Sequence, residues 1–106
     1  MHQRYLRSIG VAIALCTMAI PARAATIEIT MENLVISPAE MFAKVGDTIE
    51  WINKDILAHT ATARNGDFDV MMPPNRSASF VLKKAGTVDY YCRFHPNMKA
   101  TLKIEP

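Results

Sequence analysis

Thr87-Val88-Asp89-Tyr90-Tyr91-Cys92-Arg93-Phe94-His95-Pro96-Asn97-Met98-Lys99-Ala100 joins a strand pattern to a cluster of ligand side chains. Thr87 to Tyr91 is rich in β-branched and aromatic residues and reads as a strand. Cys92, His95 and Met98 then follow at intervals of three. On a helix that spacing would stack the three on one face. Pro96 argues against a helix, because it has no N–H to donate and pushes His95 away from the α region. The segment is therefore expected to be a loop. It follows one strand, precedes a final strand over Ala100 to Ile104, and lets Cys92 and His95 point at one centre.

Outward from this stretch the pattern stays all-β. Thr26 to Met31 alternates polar and apolar residues, as a half-buried strand does. Leu34 to Ser37 is a short apolar piece stopped by Pro38. Glu40 to Val45 is another candidate strand, closed by a Gly46-Asp47 turn. Thr48 to Ile52 alternates again, with Ile49 and Trp51 on one face, and Asn53-Lys54-Asp55 punctuates it. His59 to Ala63 is extended and ends at Asn65-Gly66. Ser77 to Leu82 places Ala78, Phe80 and Leu82 together. Asp67 to Met72 is undecided. Seven or eight short strands with turns between them predict an all-β, Greek-key β-sandwich.

Residues 1–24 have the build of a cleaved signal peptide. Arg4 and Arg7 precede an apolar run from Ile9 to Ile20, and Ala22-Arg23-Ala24 offers small residues before a cut ahead of Ala25. The run is shorter than the ~20 apolar residues that span a bilayer. One domain over residues 25–106 remains, exported and free of the membrane. Losing Arg4, Arg7 and Arg23 leaves nine basic residues against ten acidic ones, so the precursor's +2 becomes −1. No basic face argues for nucleic acid. A domain this small buries only about 60% of its unfolded surface, and its single remaining cysteine cannot form an internal disulfide. A bound metal is the remaining staple.

Singly, Cys92 reads as an inert buried thiol, Met98 as core filling, and His59 and His95 as ordinary histidines. Together they read differently. Cys92 is the only cysteine after the leader, and His59 and His95 are the only histidines. Two imidazoles, one thiolate and one thioether make the donor set of a type 1 copper centre, in which a His/His/Cys plane carries a weak axial Met. Structural zinc prefers closed sets richer in thiolate. A second copper would need a second cysteine in the loop. A cysteine hydrolase would need a well-placed base, and His95 on a proline-stiffened loop is poorly placed for that.

Trp51-Ile52-Asn53-Lys54, His59-Thr60, Gly66-x-Phe68-Asp69, Gly86-Thr87-x-x-Tyr90-Tyr91-Cys92 and His95-Pro96-x-Met98 resemble the cupredoxins of the plastocyanin/amicyanin group. The short gap between His95 and Met98 is nearest to amicyanin. Thr60 stands where that group commonly has Asn, so its hydroxyl is what remains to tie the two ligand loops together. The resemblance implies a non-enzymatic, monomeric, periplasmic one-electron carrier. One copper ion, Cu(I)/Cu(II), would be held by His59, Cys92, His95 and Met98. Its partners would be transient redox proteins, a dehydrogenase-type donor and a cytochrome-type acceptor. Phe94, Pro96, Met71, Met72, Pro73 and Pro74 are expected to form an apolar collar around His95. The competing reading is a periplasmic copper-binding or delivery protein, supported by the extra thioethers of Met71 and Met72.

Overall fold

The computed structural model describes residues 23–106. The leader expected over residues 1–24 lies outside the described residues, apart from Arg23 and Ala24. Among the described residues there are nine strands and no helix. They are β1 (Thr26–Glu32), β2 (Val35–Ser37), β3 (Glu40–Lys44), β4 (Thr48–Asn53), β5 (His59–Ala63), β6 (Asp69–Met72), β7 (Ser77–Val81), β8 (Gly86–Cys92) and β9 (His95–Glu105).

Two sheets face each other. One has the order β2-β1-β4-β7, the other β3-β9-β8-β5-β6. Most pairs are antiparallel, but β1 runs parallel to β4 and β3 parallel to β9. Period-two alternation supplies the core. Ile29 and Met31 of β1 and Ile49 and Trp51 of β4 meet Val88, Tyr90, Leu102 and Ile104 from the opposite sheet. Trp51 packs at 5.3 Å from Phe68 and edge-on at 5.7 Å from Tyr90, measured between ring centroids. Its indole N–H donates to the Tyr90 hydroxyl at 3.2 Å, so the polar tips of both rings are paired inside the core. Burial pushes the Tyr90 phenol up to about 12.

The sandwich agrees with the sequence reading, and two details differ. The undecided segment forms β6, a ninth strand on the edge beside β5. The final strand begins at His95, not Ala100, so the expected ligand loop is a hairpin with Cys92 opposite His95. Pro96 is tolerated because β3 pairs only with Thr101–Glu105. Pro96 lies before that stretch, within the register shift against β8, where no β3 partner needs its missing donor.

Candidate metal centre

Three of the four proposed donors come from three strand ends at one end of the sandwich. His59 opens β5, Cys92 closes β8 and His95 opens β9. His59 and Cys92 are fully buried, while His95 is half-buried and is the one of the three that reaches the surface. Alternation along β8 turns Cys92 inward after Val88 and Tyr90, and a register shift between Tyr91 and Cys92 leaves Pro96, Asn97 and Met98 as extra residues on β9, which sets His95 opposite the cysteine.

Cys92 Sγ lies 3.7 Å from His59 Nδ1 and 3.8 Å from His95 Nδ1. The three ligand atoms all lie within 4.8 Å of one another. A first-row ion about 2.0–2.1 Å from nitrogen and 2.3 Å from sulfur, bound in a trigonal plane, separates N and S by roughly 3.8 Å. The spacing therefore suits one ion with little movement of the side chains. Met98 is fully buried three residues along β9, and alternation turns it inward with Ala100, Leu102 and Ile104.

The surroundings fix each donor. The Thr60 backbone N–H donates to Cys92 Sγ at 3.4 Å and fixes the direction of the sulfur. The Nε2 of His59, turned away from the sulfur, is 2.7 Å from Asp55 Oδ2. With Nδ1 kept for a metal, Nε2 carries the proton and donates it to the carboxylate. This carboxylate–imidazole–metal arrangement orients a ligand histidine and raises its basicity. Asp55 is itself held. It accepts the N–H groups of Asn33 and Leu34 at 2.7 and 3.2 Å, and Asn53 Oδ1 accepts its own N–H. Burial works against the Asp55 charge, but the His59, Asn33 and Leu34 hydrogen bonds outweigh it and keep the carboxyl below its ordinary range. Asn53 Nδ2 in turn donates to the carbonyls of Leu57, Met72 and Pro73, tying β4 to the loops on both sides of the site.

Thr60 plays the part expected of it. Its hydroxyl accepts the Arg93 N–H at 2.8 Å, which joins β5 to the Cys92–His95 turn. Of the residues expected in the collar, Phe94, Pro96, Met71, Pro73 and Pro74 are exposed. Met72 is not part of it. It is fully buried because it pairs with His59 and shares that residue's inward face. Ile56 and Leu57, in the loop leading to His59, are exposed instead, Ile56 by 82%, and Leu34 is exposed beside Asp55.

Sequence reasoning missed Asp55, Thr62, Asp69 and Arg93. Only Asp55 left a signal. A buried ligand histidine needs an acceptor for its second nitrogen, and Asp55 is the acidic residue nearest to His59 in the chain.

The cupredoxin-like domain family matches residues 6–104. The methylamine utilization protein MauL of Methylorubrum extorquens is 32% identical over 101 residues, covering 92% of this chain and 89% of the relative. Amicyanin of Paracoccus denitrificans is 33% identical over 72 residues, covering 62% of this chain and 55% of the relative. Among solved structures, an amicyanin variant in its Cu(I) form superposes with a TM-score of 0.67 at 28% identity, covering 76% of this chain and 82% of that one. A reduced amicyanin variant gives 0.66 at 30% identity, with the same coverage of both chains.

Proposed function

This chain belongs to the cupredoxin-like family, and from that membership we propose a periplasmic one-electron carrier between a dehydrogenase-type donor and a cytochrome-type acceptor. It is a copper protein and not an enzyme. The observation that carries the reading is the pair of Nδ1 atoms, 3.7 and 3.8 Å from one buried sulfur. We assign His59, Cys92 and His95 as the equatorial ligands and Met98 as the weak axial one. Copper supplies the Cu(I)/Cu(II) couple, and the chain supplies a frame that holds one geometry for both states.

Each side chain has a task in that frame. Cys92, out of water and bonded to the Thr60 N–H, offers sulfur to the metal. His59 is locked by Asp55. His95, half-buried between exposed Phe94 and Pro96, offers its outer ring edge as the way in and out for the electron. The apolar surface of Phe94, Pro96, Ile56 and Leu57 suits brief docking, as small exposed patches of this kind do. The name of the MauL relative refers to methylamine utilization, which supports a dehydrogenase-type donor. The mature protein is proposed to be a monomer starting at Ala25.

Adding one equivalent of Cu(II) to the mature domain tests this. The expected result is an intense thiolate-to-copper absorption and reversible one-electron cycling without loss of metal. A colourless, tetragonal Cu(II) centre would overturn it. Delivery of copper to other proteins is the second reading. Of its two extra thioethers, only Met71 is exposed, since Met72 is in the core. Rapid exchange of Cu(I) with a chelator would favour delivery, and retention over many redox cycles favours electron transfer.

A further inference from the structure

Thr60 and Thr62 of β5 and Asp69 of β6 share the outer face of the five-stranded sheet. Alternation turns His59, Ala61 and Ala63 inward, and Thr62 pairs directly with Asp69. Arg93, the residue after Cys92, closes back over this face. Its backbone N–H donates to Thr60 Oγ1 at 2.8 Å and its side-chain Nε donates to Asp69 Oδ1 at 3.2 Å. Thr60 Oγ1 lies 2.9 Å from Thr62 Oγ1, and the Thr62 hydroxyl donates to Asp69 Oδ1 at 2.7 Å.

The proton order in this ring has one solution. An ionised carboxylate only accepts, so Thr62 must donate to Asp69. Its hydroxyl has then spent its proton and can only accept from Thr60. Thr60 donates to Thr62 and keeps its lone pairs for the Arg93 N–H. The chain therefore runs from the Arg93 N–H through Thr60 and Thr62 to Asp69, each bond polarising the next. The Thr62 hydrogen bond, and after it Arg93, hold the Asp69 carboxyl below its ordinary value.

We propose that Asp69, Thr62 and Thr60 are positioning residues that act through Arg93 on the Cys92 sulfur. Thr60 grips the segment on two sides, with its own N–H on Cys92 Sγ and its hydroxyl on the next peptide N–H. If the Thr60 hydroxyl turns, the peptide after Cys92 is released and the N–H···S contact loosens. The Arg93–Asp69 ion pair, with side chains 44% and 54% exposed, contributes little by itself. Asp69 matters because it terminates the hydrogen-bond chain and sets its direction.

This proposal rests on the copper reading, and its test separates the two. Thr62→Val keeps size and charge but removes the relay. In copper-free protein the Arg93 amide should exchange roughly tenfold faster, the loss of about one hydrogen bond, and Thr62→Ser should restore protection. In copper-loaded protein Thr62→Val should lower the reduction potential and shift the thiolate-to-copper band. Without the N–H···S bond the sulfur is a stronger donor and favours Cu(II). Asp69→Asn keeps an acceptor and should retain Arg93 protection, while Asp69→Ala, at an exposed position, should lose it. Wild-type amide exchange, band and potential in folded Thr62→Val and Asp69→Ala would overturn the proposal. A wild-type protein without the band would defeat the copper reading instead, and the copper-free exchange measurement would still decide the circuit.

Discussion

Asp55 Oδ2 accepts the Nε2 proton of His59 at 2.7 Å, and the same carboxylate caps the N–H groups of Asn33 and Leu34. Both capped residues have positive φ, 54° and 63°. A leucine in that conformation is strained, so the carboxylate holds a strained hairpin and a metal ligand at once. Asp55→Ala should weaken copper binding about 10–100-fold, the usual loss when such an outer partner is removed. It should also raise the reduction potential, because a less basic His59 supports Cu(II) less well. Competition titration and voltammetry measure the two effects. Faster amide exchange at Asn33 and Leu34 would show that the hairpin has been released as well.

Replacing Cys92 by serine removes the thiolate and with it the charge-transfer colour. The β fold should survive, since the change is nearly isosteric. Absorption and far-ultraviolet circular dichroism of the Cu(II)-treated variant check both halves.

Met98 packs in the core, and the proposed function gives it a second task, weak axial donation. Met98→Leu keeps the volume, so it should cost under about 1.5 kcal/mol of stability. Colour should persist and the potential should rise, because a donor to Cu(II) is gone. An unchanged potential would show that Met98 only fills the core.

Asp47 accepts the Ala25 N–H and the Lys44 N–H, each at 2.8 Å, and these bonds hold its carboxyl below the ordinary value. Cleavage ahead of Ala25 would turn the first of these donors into an α-ammonium, adding charge to an existing hydrogen bond. Acetylating that amine should then cost about 1 kcal/mol, a melting temperature lower by roughly 4–8 °C in a domain this size. Asp47→Asn should cancel the difference between free and acetylated forms. The pH dependence has a definite sign. A carboxyl depressed in the folded state contributes fully above its unfolded pKa, and the contribution is lost as pH falls through the folded value. Acid melting below about pH 4 should be shallower in Asp47→Asn than in the wild type.

The cluster of His59, Cys92 and His95 was legible because these are the only cysteine and histidines after the leader, and the core strands because Ile29, Met31, Ile49 and Trp51 alternate cleanly with polar neighbours. Strand β6 was hidden by Val70-Met71-Met72, an apolar run that conceals which of its residues face outward. The early start of β9 was hidden by Pro96, which breaks most strands and is harmless here because only β8 borders it. Asp69 and Arg93 were invisible for another reason. A lone charge reads as solvated, and only the paired register of β5 with β6 and the turn after Cys92 bring these groups to the site.

The parallel pairing of β3 with β9 sets Glu40 opposite Thr101, two residues about sixty positions apart in the chain. Closing so long a loop must precede the contacts that reward it, and folds built on such pairings form slowly. His59 and Cys92, more than thirty positions apart, come within reach of one ion only when that sheet exists. In the unfolded chain Cys92 and His95 are close enough to meet, but they lack the third equatorial partner. The full equatorial set proposed for copper is therefore a product of folding and not its starting point. Copper held by that set would act as a lock on the folded state, slowing unfolding more than it hastens folding.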